Sequence, residues 1–131
     1  MSKPYILCVD DDKSILISLK AQLRHCLGDA FNYEIAECAE EALDVIEDLR
    51  TKNKHLAVII SDWVMPRIKG DEFLIGVHQD YPEIIKIMLT GQADPRAVKR
   101  AVEQANLSAC LEKPWNIDEL ISVIKAELVV Q

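Results

Sequence analysis

The sequence predicts an α/β fold, a parallel sheet covered by helices on both faces, and three observations carry that expectation. Apolar runs too short for helices recur as Ile6-Leu7-Cys8-Val9, Leu56-Ala57-Val58-Ile59-Ile60 and Ile84-Ile85-Lys86-Ile87-Met88-Leu89, which suits strands buried on both faces. Two weaker strand candidates, Tyr33 to Cys38 and Ala109 to Leu111, complete a set of five. Segments of helical period separate the strands, and five strands alternating with five helices imply parallel pairing with crossover helices.

The helices read as follows. In the first, Ile15, Leu19, Leu23 and Leu27 fall four apart, with Asp12 placed to cap its start. In the second, Ala39, Leu43, Ile46 and Leu49 form the inner stripe. The fourth starts at Asp94-Pro95, N-cap and first turn, and shows a small-residue face of Val98, Ala101, Val102 and Ala105. The fifth starts at Asn116, with Glu119 in capping-box spacing, and buries Ile117, Leu120, Ile121, Ile124 and Leu128.

Composition narrows the function. The 131 residues suit one domain, 1–131, whether it stands alone or is excised from a longer protein; half are hydrophobic and 28% charged, without low-complexity tracts or repeats. A net charge of -7 opposes nucleic-acid backbones, and no basic stripe overrides it, so direct nucleic-acid binding is disfavoured. Cys8, Cys26, Cys38 and Cys110 lack the close CxxC pairs of zinc or redox sites and read as reduced packing residues. Neither a signal-peptide core nor a run approaching about 18 apolar residues occurs, which predicts a cytoplasmic protein that does not engage the membrane.

In open parallel sheets, ligands bind beyond the carboxyl ends of the strands, near the point where strand order reverses. Asp10, Asp11 and Asp12 follow the first strand, Asp62 the third, Thr90 the fourth and Lys113 the fifth. Carboxylates gathered at one rim repel one another and need either a proton or a cation. Mg²⁺ fits best, since it takes oxygen ligands in octahedral geometry and keeps waters beside one or two carboxylates. Asp11, Asp62 and the backbone carbonyl of Val64 are the candidate protein ligands, with Asp10 helping through water. A carboxylate beside a metal can also attack phosphorus to give an acyl phosphate. The ammonium of Lys113 and the hydroxyl of Thr90 suit the charge that develops on the transferring oxygens.

Ile6-Leu7-Cys8-Val9-Asp10-Asp11, Ser61-Asp62-Trp63-Val64-Met65-Pro66 with Gly70 after it, Leu89-Thr90-Gly91 and Glu112-Lys113-Pro114-Trp115 together resemble the receiver domain of two-component response regulators. The resemblance spans essentially the whole chain. It implies a flavodoxin-like, doubly wound five-stranded sheet of order 2-1-3-4-5 with five helices, and a cis Lys113-Pro114 bond. It also implies that Asp62 is the phosphoacceptor, served by a sensor histidine kinase or a histidine phosphotransfer protein. Asp10 and Asp11 correspond to the family's acidic pair, Thr90 to its switch hydroxyl and Lys113 to its lysine. Such a domain is a signalling switch that catalyses only its own phosphorylation and dephosphorylation. By analogy, the fourth helix, fifth strand and fifth helix form the face for an effector domain or a homodimer.

Three positions depart from the family's pattern or bear on its chemistry. Cys110 stands where the family often has Tyr or Phe, so switching by a rotating ring is not expected. Val64 offers no polar side chain to an attacking water, which predicts slow self-dephosphorylation. Gly91 leaves room beside Thr90 for a phosphodonor. His25, His55 and His78 show no ligand spacing and read as surface residues, while Trp63 and Trp115 flank the site or simply pack on their loops.

Other functions compete. Asp10-Asp11-Asp12-Lys13-Ser14 also fits the DxDx(S/T) start of haloacid dehalogenase-like phosphohydrolases with Asp10 as nucleophile, yet the acids after Lys113 (Asp118, Glu119 and Glu127) all fall in the last predicted helix. A mononucleotide-binding module shares the architecture, but Gly28, Gly70, Gly76 and Gly91 form neither GxGxxG nor a P-loop. A receiver kept only as an interaction surface is the third alternative.

Overall fold

The computed structural model describes residues 3–91 and 94–130, with side chains to residue 128. The strands are β1 (Tyr5–Val9), β2 (Asn32–Ala36), β3 (Leu56–Asp62), β4 (Ile85–Thr90) and β5 (Ala109–Glu112). They alternate with α1 (Lys13–Leu27), α2 (Ala39–Thr51), α3 (Gly70–Asp80), α4 (Pro95–Ala105) and α5 (Ile117–Val130), and a single 3₁₀ turn, Gly28–Ala30, follows α1. All pairings are parallel, in the order β2-β1-β3-β4-β5. The chain therefore winds one way from β1 to β2 and the other way from β3 onward, and the reversal lies between β1 and β3.

Alternation along the strands splits the core into two clusters. Leu7, Val9, Ile59 and Met88 face Ala42 and Ile46 of α2, Leu74 of α3 and Ala101 of α4. Ile6, Cys8, Val58, Ile60, Ile87 and Leu89 face Leu16, Leu19 and Leu23 of α1 and Leu120 and Ile124 of α5. The strand period of two sends neighbours to opposite layers, which is why the central strands read as continuous apolar runs.

Caps appear where the sequence predicts them. Asp12 accepts from the Ser14 amide at 2.9 Å, Asp94 from the Arg96 amide at 2.9 Å, and Asn116 from the Glu119 amide at 3.1 Å. Five expectations of the fold need correction. The second strand ends at Ala36, because Cys38 instead caps α2, its Sγ accepting from the Glu41 amide at 3.5 Å. Leu43 is 44% exposed and Val102 50% exposed. In α2 the buried stripe runs through Ala39, Ala42, Ile46 and Leu49, and in α4 it narrows to Ala101 and Ala105, so the bulkier Leu43 and Val102 turn outward. In α1 Leu16, not Ile15, is fully buried. Among the cysteines, none of them disulfide-bonded, Cys26 is exposed and so is not a packing residue. Among the described residues, no helix is long and apolar enough to cross a membrane.

Candidate functional site

The strand-end residues converge at the reversal point. Asp10 follows β1 directly and Asp62 is the last residue of β3; they are 3% and 7% exposed, whereas Asp11 is exposed. Carboxylate oxygens of Asp10, Asp11 and Asp62 all lie within 4.8 Å of one another. Lys113, just past β5, brings Nζ to 2.6 Å from Asp10 Oδ2 and 3.2 Å from Asp62 Oδ1. Thr90, the last residue of β4, is buried, and its carbonyl accepts from the Lys113 amide at 3.0 Å, which ties the ends of β4 and β5 together. The Lys113-Pro114 bond is cis.

The electrostatics follow from crowding. Burial raises the pKa of Asp62, the charge of Asp10 raises it further, and Lys113 opposes both without cancelling them. Burial pulls the Lys113 ammonium down, but its bond to Asp10 and the charges of Asp10 and Asp62 outweigh that and leave its pKa raised. Asp10 is held on both oxygens, Oδ1 accepting from the Asp12 amide at 2.8 Å and Oδ2 from Lys113. Such an arrangement suits a water-mediated role better than attack on a substrate, which weighs against Asp10 as a nucleophile. The oxygen donor set, anionic and with one exposed member, fits a hard divalent cation such as Mg²⁺.

The acceptor loop is shaped by Gly70. Its amide donates to the Trp63 carbonyl at 2.8 Å, and a β-carbon there would stand 2.1 Å from the Asp62 carbonyl oxygen. Trp63 in turn donates its amide to the Leu89 carbonyl at 3.2 Å, pinning β3 to β4 beside Thr90. Val64, in the same loop, is 54% exposed. Arg67, at φ 70°, pairs with Glu40 at the start of α2 and closes the loop's far side.

Both tryptophans do more than cover their loops. Trp63 Nε1 donates to Asp71 Oδ1 at 3.0 Å, and Trp115 Nε1 donates to Gln22 Oε1 at 2.8 Å, which links the segment after Lys113 to α1. Cys110 is half-buried in β5 against the α2–α4 layer, and burial raises its thiol pKa. His25 and His55 are exposed, but His78 is not a plain surface residue: its Nδ1 lies 3.0 Å from the buried Lys86 Nζ. Sequence reasoning missed Asp71 and Lys86. The signal for Lys86 was a charge inside an apolar strand; Asp71 looked like any acid in the first turn of a helix.

Comparison with known proteins agrees with this geometry. The family model described as the response regulator receiver domain matches residues 6–125. The chain is 34% identical over 122 residues to the two-component response regulator ARR12 of Arabidopsis thaliana, covering 90% of the chain and 18% of that protein. It is 30% identical over 126 residues to the hydrogenase transcriptional regulatory protein HoxA of Cupriavidus necator, covering 96% of the chain and 24% of HoxA. The chain thus spans a quarter or less of either relative. Among solved structures, a CheY-like response regulator receiver domain protein from Methanospirillum hungatei superposes with a TM-score of 0.83 at 34% identity, covering 97% of this chain and 94% of that one. A signal receiver domain of an HD domain-containing protein from Pseudomonas fluorescens gives 0.85 at 28% identity, over 97% and 95%. With its sheet order, its acidic rim and the family match over nearly its full length in accord, this chain belongs to the response regulator receiver domain family of two-component systems.

Proposed function

We propose that this chain is a phosphoacceptor switch in which Asp62 receives a phosphoryl group from a phosphohistidine on a sensor histidine kinase or histidine phosphotransfer protein. The observation that supports it most is the bridge made by one ammonium, Lys113, between the buried carboxylates of Asp10 and Asp62, with Asp11 beside them at the rim. A carboxylate oxygen of Asp62 attacks phosphorus, the P–N bond to the donor breaks, and the imidazole leaves with the bonding electrons. No general base is required, because a carboxylate attacks without losing a proton in the step. Lys113 stabilises the oxygens of the transferring group, and the Thr90 hydroxyl donates a hydrogen bond to one of them after transfer. Asp11, Asp62 and the Val64 carbonyl, with Asp10 acting through water, would hold Mg²⁺, which would supply charge neutralisation.

We further infer that residues 1–131 form one receiver unit and that its output passes to an effector domain or a second copy through α4, β5 and α5. The test is direct. Incubation with Mg²⁺ and acetyl phosphate should add one phosphoryl group, mapped by mass spectrometry to Asp62 and lost in Asp62→Asn. Labelling that survives Asp62→Asn and disappears in Asp10→Ala would transfer the nucleophile to Asp10.

A further inference from the structure

Asp71 lies in the first turn of α3, where an acid ordinarily meets water, yet it is 3% exposed. Its two oxygens are engaged in different directions. Oδ1 accepts from the Trp63 indole at 3.0 Å, and Oδ2 accepts from Arg100 Nη2 at 2.6 Å. Trp63 is the residue after Asp62, and Arg100 is in the middle of α4. One buried carboxylate is therefore wedged between the loop that carries the acceptor and a helix across the groove.

The wedge is stiff on one side and has room on the other. The Trp63 backbone is fixed to β4 and to Gly70, and the Lys69 ammonium sits 5.0 Å from the indole centroid. Arg100 is 45% exposed, and a cavity of about 290 Å³ between α3 and α4, lined by Trp63, Lys69, Asp71, Asp94, Arg96 and Arg100, gives both side chains space to re-orient. Drawing Arg100 off the buried carboxylate leaves an uncompensated charge, so displacement of the indole or the carboxylate favours a matching displacement of the guanidinium.

We propose that Asp71 is a positioning residue that holds Trp63, and with it the acceptor loop, and that Arg100 transmits displacement of that loop to α4. The inference rests on Asp62 being the acceptor. Coupling of this kind is reciprocal: a partner on α4 that draws Arg100 away alters how readily the acceptor site is loaded.

The experiment uses ¹⁵N-labelled protein, following the Trp63 indole N–H signal, assigned with Trp63→Phe, and the α4 amides before and after acetyl phosphate with Mg²⁺. Intact mass reports occupancy of Asp62 in each sample. In the wild type, both the indole and the α4 amides should shift on phosphorylation. Arg100→Gln should still be labelled and still shift the indole, but its α4 shifts should fall below half of the wild-type values, with Arg100→Lys restoring most of them. Asp71→Asn should displace the indole signal even before phosphorylation. Wild-type α4 shifts in Arg100→Gln at equal Asp62 occupancy overturn the coupling and leave the phosphoacceptor proposal standing. A wild-type protein that takes no phosphoryl group at Asp62 overturns both.

Discussion

Gly70 is packed so tightly on Asp62 that a β-carbon at position 70 would stand 2.1 Å from the Asp62 carbonyl oxygen and 2.9 Å from the Trp63 Cα. Both contacts are backbone, so no side-chain rotation relieves them, and either the β3 end or the start of α3 must give way. Gly70→Ala should therefore cost about 1–3 kcal/mol, as overpacking of a filled site does, and should also weaken Mg²⁺ binding by displacing the Val64 carbonyl. Thermal melts with and without Mg²⁺ check both effects. An unchanged melting midpoint would mean the loop yields freely.

Asp10, Asp11 and Asp62 share one edge with a single ammonium within reach of two of them, so the site is under net repulsion until a cation enters. Mg²⁺ should raise the melting temperature, by about 1.4 kcal/mol of stability when its free concentration is roughly ten times the dissociation constant. Asp11→Ala should shrink that shift. In metal-free buffer, Asp62→Asn should melt above the wild type, because it removes a buried charge that Asp10 repels. Scanning fluorimetry over a Mg²⁺ series reads all three, and a wild type indifferent to Mg²⁺ would sink the metal assignment.

Much of this was legible from strand ends. Ile6–Val9, Leu56–Ile60 and Ile84–Leu89 are apolar because both sheet faces are covered, and the residues just past each run land on the rim, Asp10 and Thr90 at once and Asp62 one residue later, after Ser61. What sequence could not supply was rotation about a helix axis. Leu43 and Ala42 differ by one position, and only the way α2 is seated on the sheet decides that alanine faces inward. Asp71 was hidden for a related reason: its burial depends on Trp63 and Arg100, partners eight positions before it and 29 after it.

Val64, two residues after Asp62, is 54% exposed and carries no polar side-chain atom. Hydrolysis of an acyl phosphate needs a water aligned behind phosphorus, and a valine gives that water nothing to bond. Val64→Asn should shorten the lifetime of the phosphorylated protein several-fold while leaving the extent of initial labelling similar. Decay of the phosphoryl mass after removal of acetyl phosphate measures it. Equal, rapid decay in both proteins would show that side-chain orientation of water at this position is irrelevant.

Lys86 gives a pH signature away from the site. It is 1% exposed in β4, its ammonium donating to the Ile84 carbonyl at 2.6 Å and facing His78 Nδ1 from α3. Burial depresses its pKa from 10.5 to about 8, the charge of Glu83 only partly opposing this. Below about 8 the amine is charged in both folded and unfolded chains, and the folded state bears the whole desolvation cost. Between about 8 and 10.5 the unfolded chain keeps a proton that the folded chain has released in part at the lower end and almost wholly at the upper, so stability rises with pH across this window. His78, lowered by burial and by the Lys86 charge, is already neutral there. Cys8 works in the opposite sense above its ordinary 9, since its folded thiol is pushed up to about 12, and for that reason the difference between two proteins is the quantity to follow. Lys86→Met should be the more stable protein at pH 7 by an amount on the order of 3 kcal/mol, less about 1 kcal/mol for the carbonyl it leaves without its donor. That advantage should vanish as pH approaches 10.5, because the neutral lysine no longer resists burial. Urea midpoints of the pair from pH 7 to 10.5 test it, and parallel curves would mean that Lys86 stays charged in its buried seat.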